Sequence, residues 1–116
     1  MIFSIAGHID QIIKGTKTQT RRSYSSKYWP GKNYALQSGR GKPADPRGRI
    51  LITHAWVESH QRNVIHPLDA QAEGGYTPEE YEELYNRLNP GWEARWVYEF
   101  VFVPSTQESK EKRNPQ

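Results

Sequence analysis

Lys17 and Thr20 stand three positions apart in the stretch GTKTQTRR, residues 15–22, which closes on Arg21 and Arg22. A lysine crowded by Lys14, Arg21 and Arg22 is pushed towards its neutral form, and burial pushes it further. Such an amine can take the proton of a nearby hydroxyl, and Thr20 carries one. The remaining need of that chemistry is an acid for the leaving group. Glu73 is a candidate, as the last side chain before the double glycine of QAEGGYTPEE. A tight turn at those glycines can hold a carboxylate at the mouth of a cleft. Each residue also has a plainer reading. GTKTQTRR reads equally as a solvated basic strand and Glu73 as a surface charge near the end of a short helix, while Glu99 is a rival acid suited to an ion pair. In one regular strand Thr16, Thr18 and Thr20 share a face, with Lys17, Gln19 and Arg21 on the other. Joint action of Lys17 and Thr20 therefore requires the chain to bend between them.

Other chemistries find less support. His54, His60 and His66 are six residues apart and His8 is remote, so no tight metal-ligand spacing exists, and neither a metal nor another cofactor is expected. Cysteine is absent, which excludes disulfides and thiolate sites. No nucleophile elbow, P-loop or dinucleotide-binding glycine pattern is present.

The elements that must position these residues belong to a chain of 116 residues, sized for one compact domain. Apolar content is low, but four tryptophans and seven tyrosines supply a small aromatic core. The N-terminus lacks the pattern of a signal peptide, and no apolar run approaches the roughly 20 residues that cross a bilayer. The expectation is a soluble, cytoplasmic protein without a membrane partner, of undetermined oligomeric state. The net charge of +3 conceals an asymmetry: residues 14–49 hold ten Lys or Arg against Asp45 alone, and residues 58–99 hold nine acids against three arginines. Folding could face these segments across a cleft or leave them as two solvated surfaces.

Ile2 to Ile5 reads as a short first strand, followed by a helix through Ile9, Ile12 and Ile13 that Gly15 ends. NYAL, residues 33–36, is a short strand, and RILITHAWVE, residues 49–58, a longer one with His54 and Trp56 on the face of Ile50 and Ile52. TPEEYEELYNRLNPG carries the clearest helix signals: Thr77 as N-cap, Pro78 at the first turn, Glu80 completing a capping box and Asn89-Pro90-Gly91 as the stop. Tyr81, Leu84, Tyr85 and Leu88 form its buried stripe, leaving Glu82, Glu83 and Arg87 to solvent. EARWVYEFVFV, residues 93–103, is a central strand, and residues 104–116 read as a disordered tail. This pattern predicts an α+β domain over residues 1–103, a small barrel or curled sheet flanked by two or three short helices.

The order of these pieces resembles the ASCH domain family of the PUA-like superfamily. A short helix enters IIKGTKTQTRR, similar to that family's Gly-x-Lys-x-x-Thr-x-Arg motif. WPGKNYAL, a G-x-I-x-I-T strand, QAEGGYTPEEYEELYNRLNPG and a closing aromatic strand follow, so the likeness spans nearly all of residues 1–103. The resemblance implies a small PUA-like β-barrel with a cleft suited to a nucleobase or RNA. Some bacterial members of similar layout are amidohydrolases that remove acetyl from N4-acetylcytidine. Their base, nucleophile and proton donor fall on Lys17, Thr20 and Glu73, with Arg22 as the motif's final arginine and Arg21 and Tyr24 beside it as substrate-binding candidates. Serines and Tyr24 follow the motif here where acidic residues are found in such a member. The expected partner is a small nucleoside. RNA is the alternative, gripped by Lys14, Lys17, Arg21, Arg22, Lys32, Arg40, Lys42, Arg47 and Arg49 with stacking on Tyr24, Tyr28, Trp29 or Tyr34; other members of the family are proposed RNA binders or ribonucleases.

Overall fold

The computed structural model describes residues 1–23, 28–59, 65–89 and 94–105. Helix α1 spans His8–Lys14 and ends where the sequence places its stop: Gly15, at φ 85°, turns its N–H back onto the Gln11 and Ile12 carbonyls. The chain does not then pass directly into a strand. Lys17 N–H still bonds to the Gln11 carbonyl, and Thr18 N–H crosses to Ala72. Strand β1, Gln19–Ser23, begins only after that turn. This is the bend that Lys17 and Thr20 require.

Strands β2 (Asn33–Ala35), β3 (Gly48–Ser59) and β4 (Ala94–Pro104) complete a four-stranded antiparallel sheet in the order β1-β4-β3-β2. Helices α2 (Pro67–Gly74) and α3 (Pro78–Leu88) lie between β3 and β4 in sequence, giving an α+β fold with three short helices among the described residues. Among the described residues the sheet stays open, with no pairing between its edge strands β1 and β2. The segment expected as a first strand, Ile2 to Ile5, contributes a single parallel bridge from Ile2 to Gln37. It nevertheless spans part of the gap: Phe3 N–H bonds to the Gln37 carbonyl at 2.8 Å, and Arg22 of β1 donates to the Ile2 carbonyl at 2.6 Å. One edge is held by backbone and the other by a guanidinium.

The main core joins Phe3, Ile12, Leu36, Ile50, Ile52, Tyr98 and Phe100. Ile50 and Ile52 are fully buried, as alternation predicts, but the ladder slips between Ile52 and His54. That bulge inverts the alternation. His54 therefore leaves the face of Ile50 and its side chain is exposed, close to Glu99 at 3.4 Å, and Trp56 turns outward with it.

Helix α3 has the capping box, with Thr77 accepting from Glu80 N–H and Glu80 from Thr77 N–H. Tyr81 and Tyr85 pack with Ile65 and Ala70 in a second cluster. Leu88, expected to be buried, is 59% exposed, whereas Glu82, expected in solvent, accepts two bonds from Arg95. No helix among the described residues is long and apolar enough to cross a membrane.

Candidate active site

The turn from α1 into β1 carries Lys17 inward, where only 2% of it is exposed. An ammonium in such a place must find acceptors. Lys17 Nζ donates to the Gln19 carbonyl at 2.9 Å, to the Glu73 carbonyl at 2.5 Å and to Glu73 Oε1 at 3.4 Å. Burial pushes the Lys17 amine below its ordinary pKa, and Arg22 and Arg21 push the same way; Glu73 opposes them without prevailing.

Glu73 lies in the last turn of α2 and is likewise 2% exposed. Its second oxygen, Oε2, accepts from Arg21 at 2.8 Å. The position depends on the glycine that follows. Gly74 has φ 151°, and a Cβ there would stand 2.9 Å from the Tyr76 ring and 3.1 Å from both Gln11 Oε1 and His8 Nε2. The backbone of the AEGGY turn thus packs directly against α1, which grips it through Gln11 Nε2 to the Gly74 carbonyl (3.2 Å) and through His8 Nε2 to the Tyr76 hydroxyl (2.7 Å).

Thr20 is 5% exposed and pairs across β1 with Tyr98 of β4. Its Oγ1 accepts from Arg22 Nε at 3.2 Å. Arg22 is fixed over the Phe3 ring, 4.8 Å from its centroid, and burial lowers its pKa. A guanidinium on the hydroxyl oxygen stabilises the alkoxide, which favours a nucleophile.

Lys17, Thr20, Arg22 and Glu73 all line one cavity of about 340 Å³, whose apolar lining includes Ile2, Ile5, Leu84 and Leu88. Basic and acidic segments do meet there. Lys17 is at present turned to its three carbonyl and carboxylate acceptors rather than to Thr20, and the 3.4 Å contact with Glu73 is the longest of the three. To take a proton from Thr20, Nζ must exchange that contact for the hydroxyl.

Arg21, a candidate substrate ligand by sequence, is 5% exposed and directs its guanidinium to Glu58, Glu73 and Gln19. Tyr24 lies outside the described residues. His8 lines the same cavity; in sequence it stands only as a candidate for a metal site, which its spacing does not support. Desolvation and the nearby Lys17 and Arg22 lower its pKa to about 4, so it is neutral near pH 7. Its spacing from Ile12, one helical turn, is the signal that places it on the inward face of α1. Among the described residues no three His, Asp or Glu side chains gather to hold a metal.

No protein-family model matches the sequence, and no curated protein matches it. Solved structures do match in shape. Protein EF3133 from Enterococcus faecalis V583, of the DUF984 family, aligns with a TM-score of 0.66 at 19% identity over 92% of this chain and 74% of its own. The ASCH domain from Lactobacillus crispatus JV V101 aligns at 0.63 and 15% identity, over 89% and 79%. ZmASCH from Zymomonas mobilis, as its S128A mutant, aligns at 0.59 and 13% identity, over 99% and 80%. At these identities the likeness is one of architecture. The chain has the fold of the ASCH domains.

Proposed function

We propose that the protein is an amidohydrolase that removes the acyl group from N4-acetylcytidine or a related acylated cytosine nucleoside. The observation that carries this reading is the presence of Lys17, Thr20 and Glu73 on the wall of one cavity, with the amine buried and its pKa lowered. In the reaction Lys17 Nζ, as the neutral amine that its burial favours, takes the Thr20 hydroxyl proton as Oγ1 bonds to the acyl carbon. Glu73 Oε1, next to Nζ, receives that proton and passes it to N4 as the carbon–nitrogen bond breaks, releasing the amine. Water then attacks the acyl-threonine, giving its proton to Lys17. The acyl carbon–Oγ1 bond breaks, the carboxylic acid leaves and Thr20 recovers its proton. Arg22, on Thr20 Oγ1, steadies the negative charge in both halves.

The test is release of cytidine from N4-acetylcytidine by the purified protein. Wild type turns over, and Lys17→Ala and Glu73→Ala each lose about 10²- to 10⁴-fold, the usual worth of a positioned base or acid. Undiminished turnover in either variant, or none in wild type, refutes the assignment.

A second reading, an RNA-related module, draws on the fold and on the outer surface. Lys14, Lys32, Arg40, Lys42 and Arg49 are exposed, and Trp29 is 61% exposed, open to stacking. Affinity for single-stranded RNA that falls steeply with salt and survives Glu73→Ala supports it; salt-independent affinity or none counts against it.

A further inference from the structure

From the cavity wall outward, six side chains of alternating sign are joined in one line of contacts: Lys17, Glu73, Arg21, Glu58, Arg95 and Glu82. Glu58 Oε2 is the middle link, accepting from Arg21 Nε at 2.9 Å and from Arg95 Nε at 2.8 Å. Arg95 is fully buried on β4 and reaches Glu82 of α3 through two bonds, at 3.1 and 2.9 Å. Its guanidinium lies 4.6 Å from the Tyr85 ring centroid. Arg21, which holds one oxygen of Glu73, is thus itself held by a charge from another element, so the carboxylate has little freedom to turn.

Resting on the deacylase reading above, we infer that Arg21, Glu58 and Arg95 form a positioning relay that fixes the carboxylate of Glu73, with Oε2 locked to Arg21 and Oε1 left to work with Lys17. A carboxylate free to rotate would present either oxygen to the amine and lose the short proton path to the leaving group. Neither Glu58 nor Arg95 lines the cavity. Glu58 reaches the site through Arg21 and Glu73, while Arg95 also borders the cavity through Tyr85.

A double-mutant cycle separates these routes. Glu58→Gln keeps shape and removes the charge that anchors Arg21. Hydrolysis of N4-acetylcytidine by Glu58→Gln, corrected for the folded fraction measured by circular dichroism, is expected to fall about tenfold or more in kcat, in keeping with the cost of small misplacements. KM stays within about twofold, because Glu58 itself does not line the cavity and Arg21 keeps its bond to Glu73. In a Glu73→Gln background the same substitution costs less than about twofold, since nothing remains for it to position. Equal losses in the two backgrounds, or no loss in either, overturn the relay while leaving the deacylase reading intact. Absence of turnover by wild type overturns both. If Glu58→Gln does not fold, Glu82→Gln takes its place at the outer, partly exposed end of the line, with a smaller loss expected in the wild-type background and none in Glu73→Gln; equal effects there overturn the relay in the same way.

Discussion

At the scale of single residues, the site is governed by how few water contacts its charges keep. Lys17 and His8 both have pKa values lowered mainly by burial, and the sign of each has a consequence. For His8, whose folded value is about 4 against 6.5 for a solvated histidine, the unfolded chain takes up a proton first as pH falls. Stability is then lost between about pH 6.5 and pH 4. For Lys17 the unfolded amine again holds its proton to higher pH, so stability rises with pH from the folded value towards 10.5. Urea titrations from about pH 7 to about pH 4 should show a larger fall in midpoint for wild type than for His8→Asn, which has no imidazole to titrate. Equal falls would show that His8 is not a source of the acid sensitivity. Tyr76→Phe removes the hydroxyl at 2.7 Å from His8 and should cost about 1 kcal/mol at neutral pH.

At the scale of elements, the chain discloses some of its geometry and conceals the rest. The Thr77 capping box, the stop at Gly15 and the apolar run of β4 are local signals, and each element forms where its own residues place it. The bulge after Ile52 depends on register against β4, which no local pattern in β3 reveals, so the faces of His54 and Trp56 are inverted. Similarly, whether Lys17 belongs to β1 depends on Thr18 N–H finding Ala72 in α2, a contact across more than fifty residues. Arg95 and Glu82 give a partial clue: a lone arginine in an apolar strand demands a buried acid, though not a particular one. The junction of α2 and α3 is legible as a double glycine, yet the need for Gly74 arises from α1 lying against it. Gly74→Ala should therefore destabilise by about 1–3 kcal/mol, through both strain and overlap with Tyr76. Because the turn carries Glu73, activity per folded molecule should fall as well. Thermal melts and deacylation rates on the same preparations check the pair, and a variant with wild-type melting would show that the helices move apart without cost.

At the scale of the molecule, an open sheet with short edges leaves much of the assembly to contacts between elements that are distant in sequence. Phe3 serves the inner layer: 5% exposed, it meets Phe100 edge-on at 6.1 Å and lies beneath Arg22 and Lys17, so one ring joins the N-terminal segment, the core and the site. Arg95 serves the outer layer, tying β4 to β3 through Glu58 and to α3 through Glu82. The two ties differ in kind. Loss of the Phe3 ring removes apolar burial and leaves a cavity, at about 3–5 kcal/mol for Phe3→Ala. Arg95→Met keeps much of the volume but takes the cation away from Glu82 and leaves Glu58 with Arg21 alone, also at about 3–5 kcal/mol. Against the roughly 5–15 kcal/mol that holds a domain of this kind together, either is a large fraction. Salt and pH tell them apart. The Phe3→Ala deficit should be nearly constant between about pH 7 and about pH 4, whereas the Arg95→Met deficit should shrink as pH falls into the range where Glu58, held below its ordinary value by Arg21 and Arg95, takes up a proton. Denaturant midpoints at the two pH values measure this directly, and an Arg95→Met deficit that does not shrink would mean that the arginine holds α3 to the sheet by packing against Tyr85 rather than by charge.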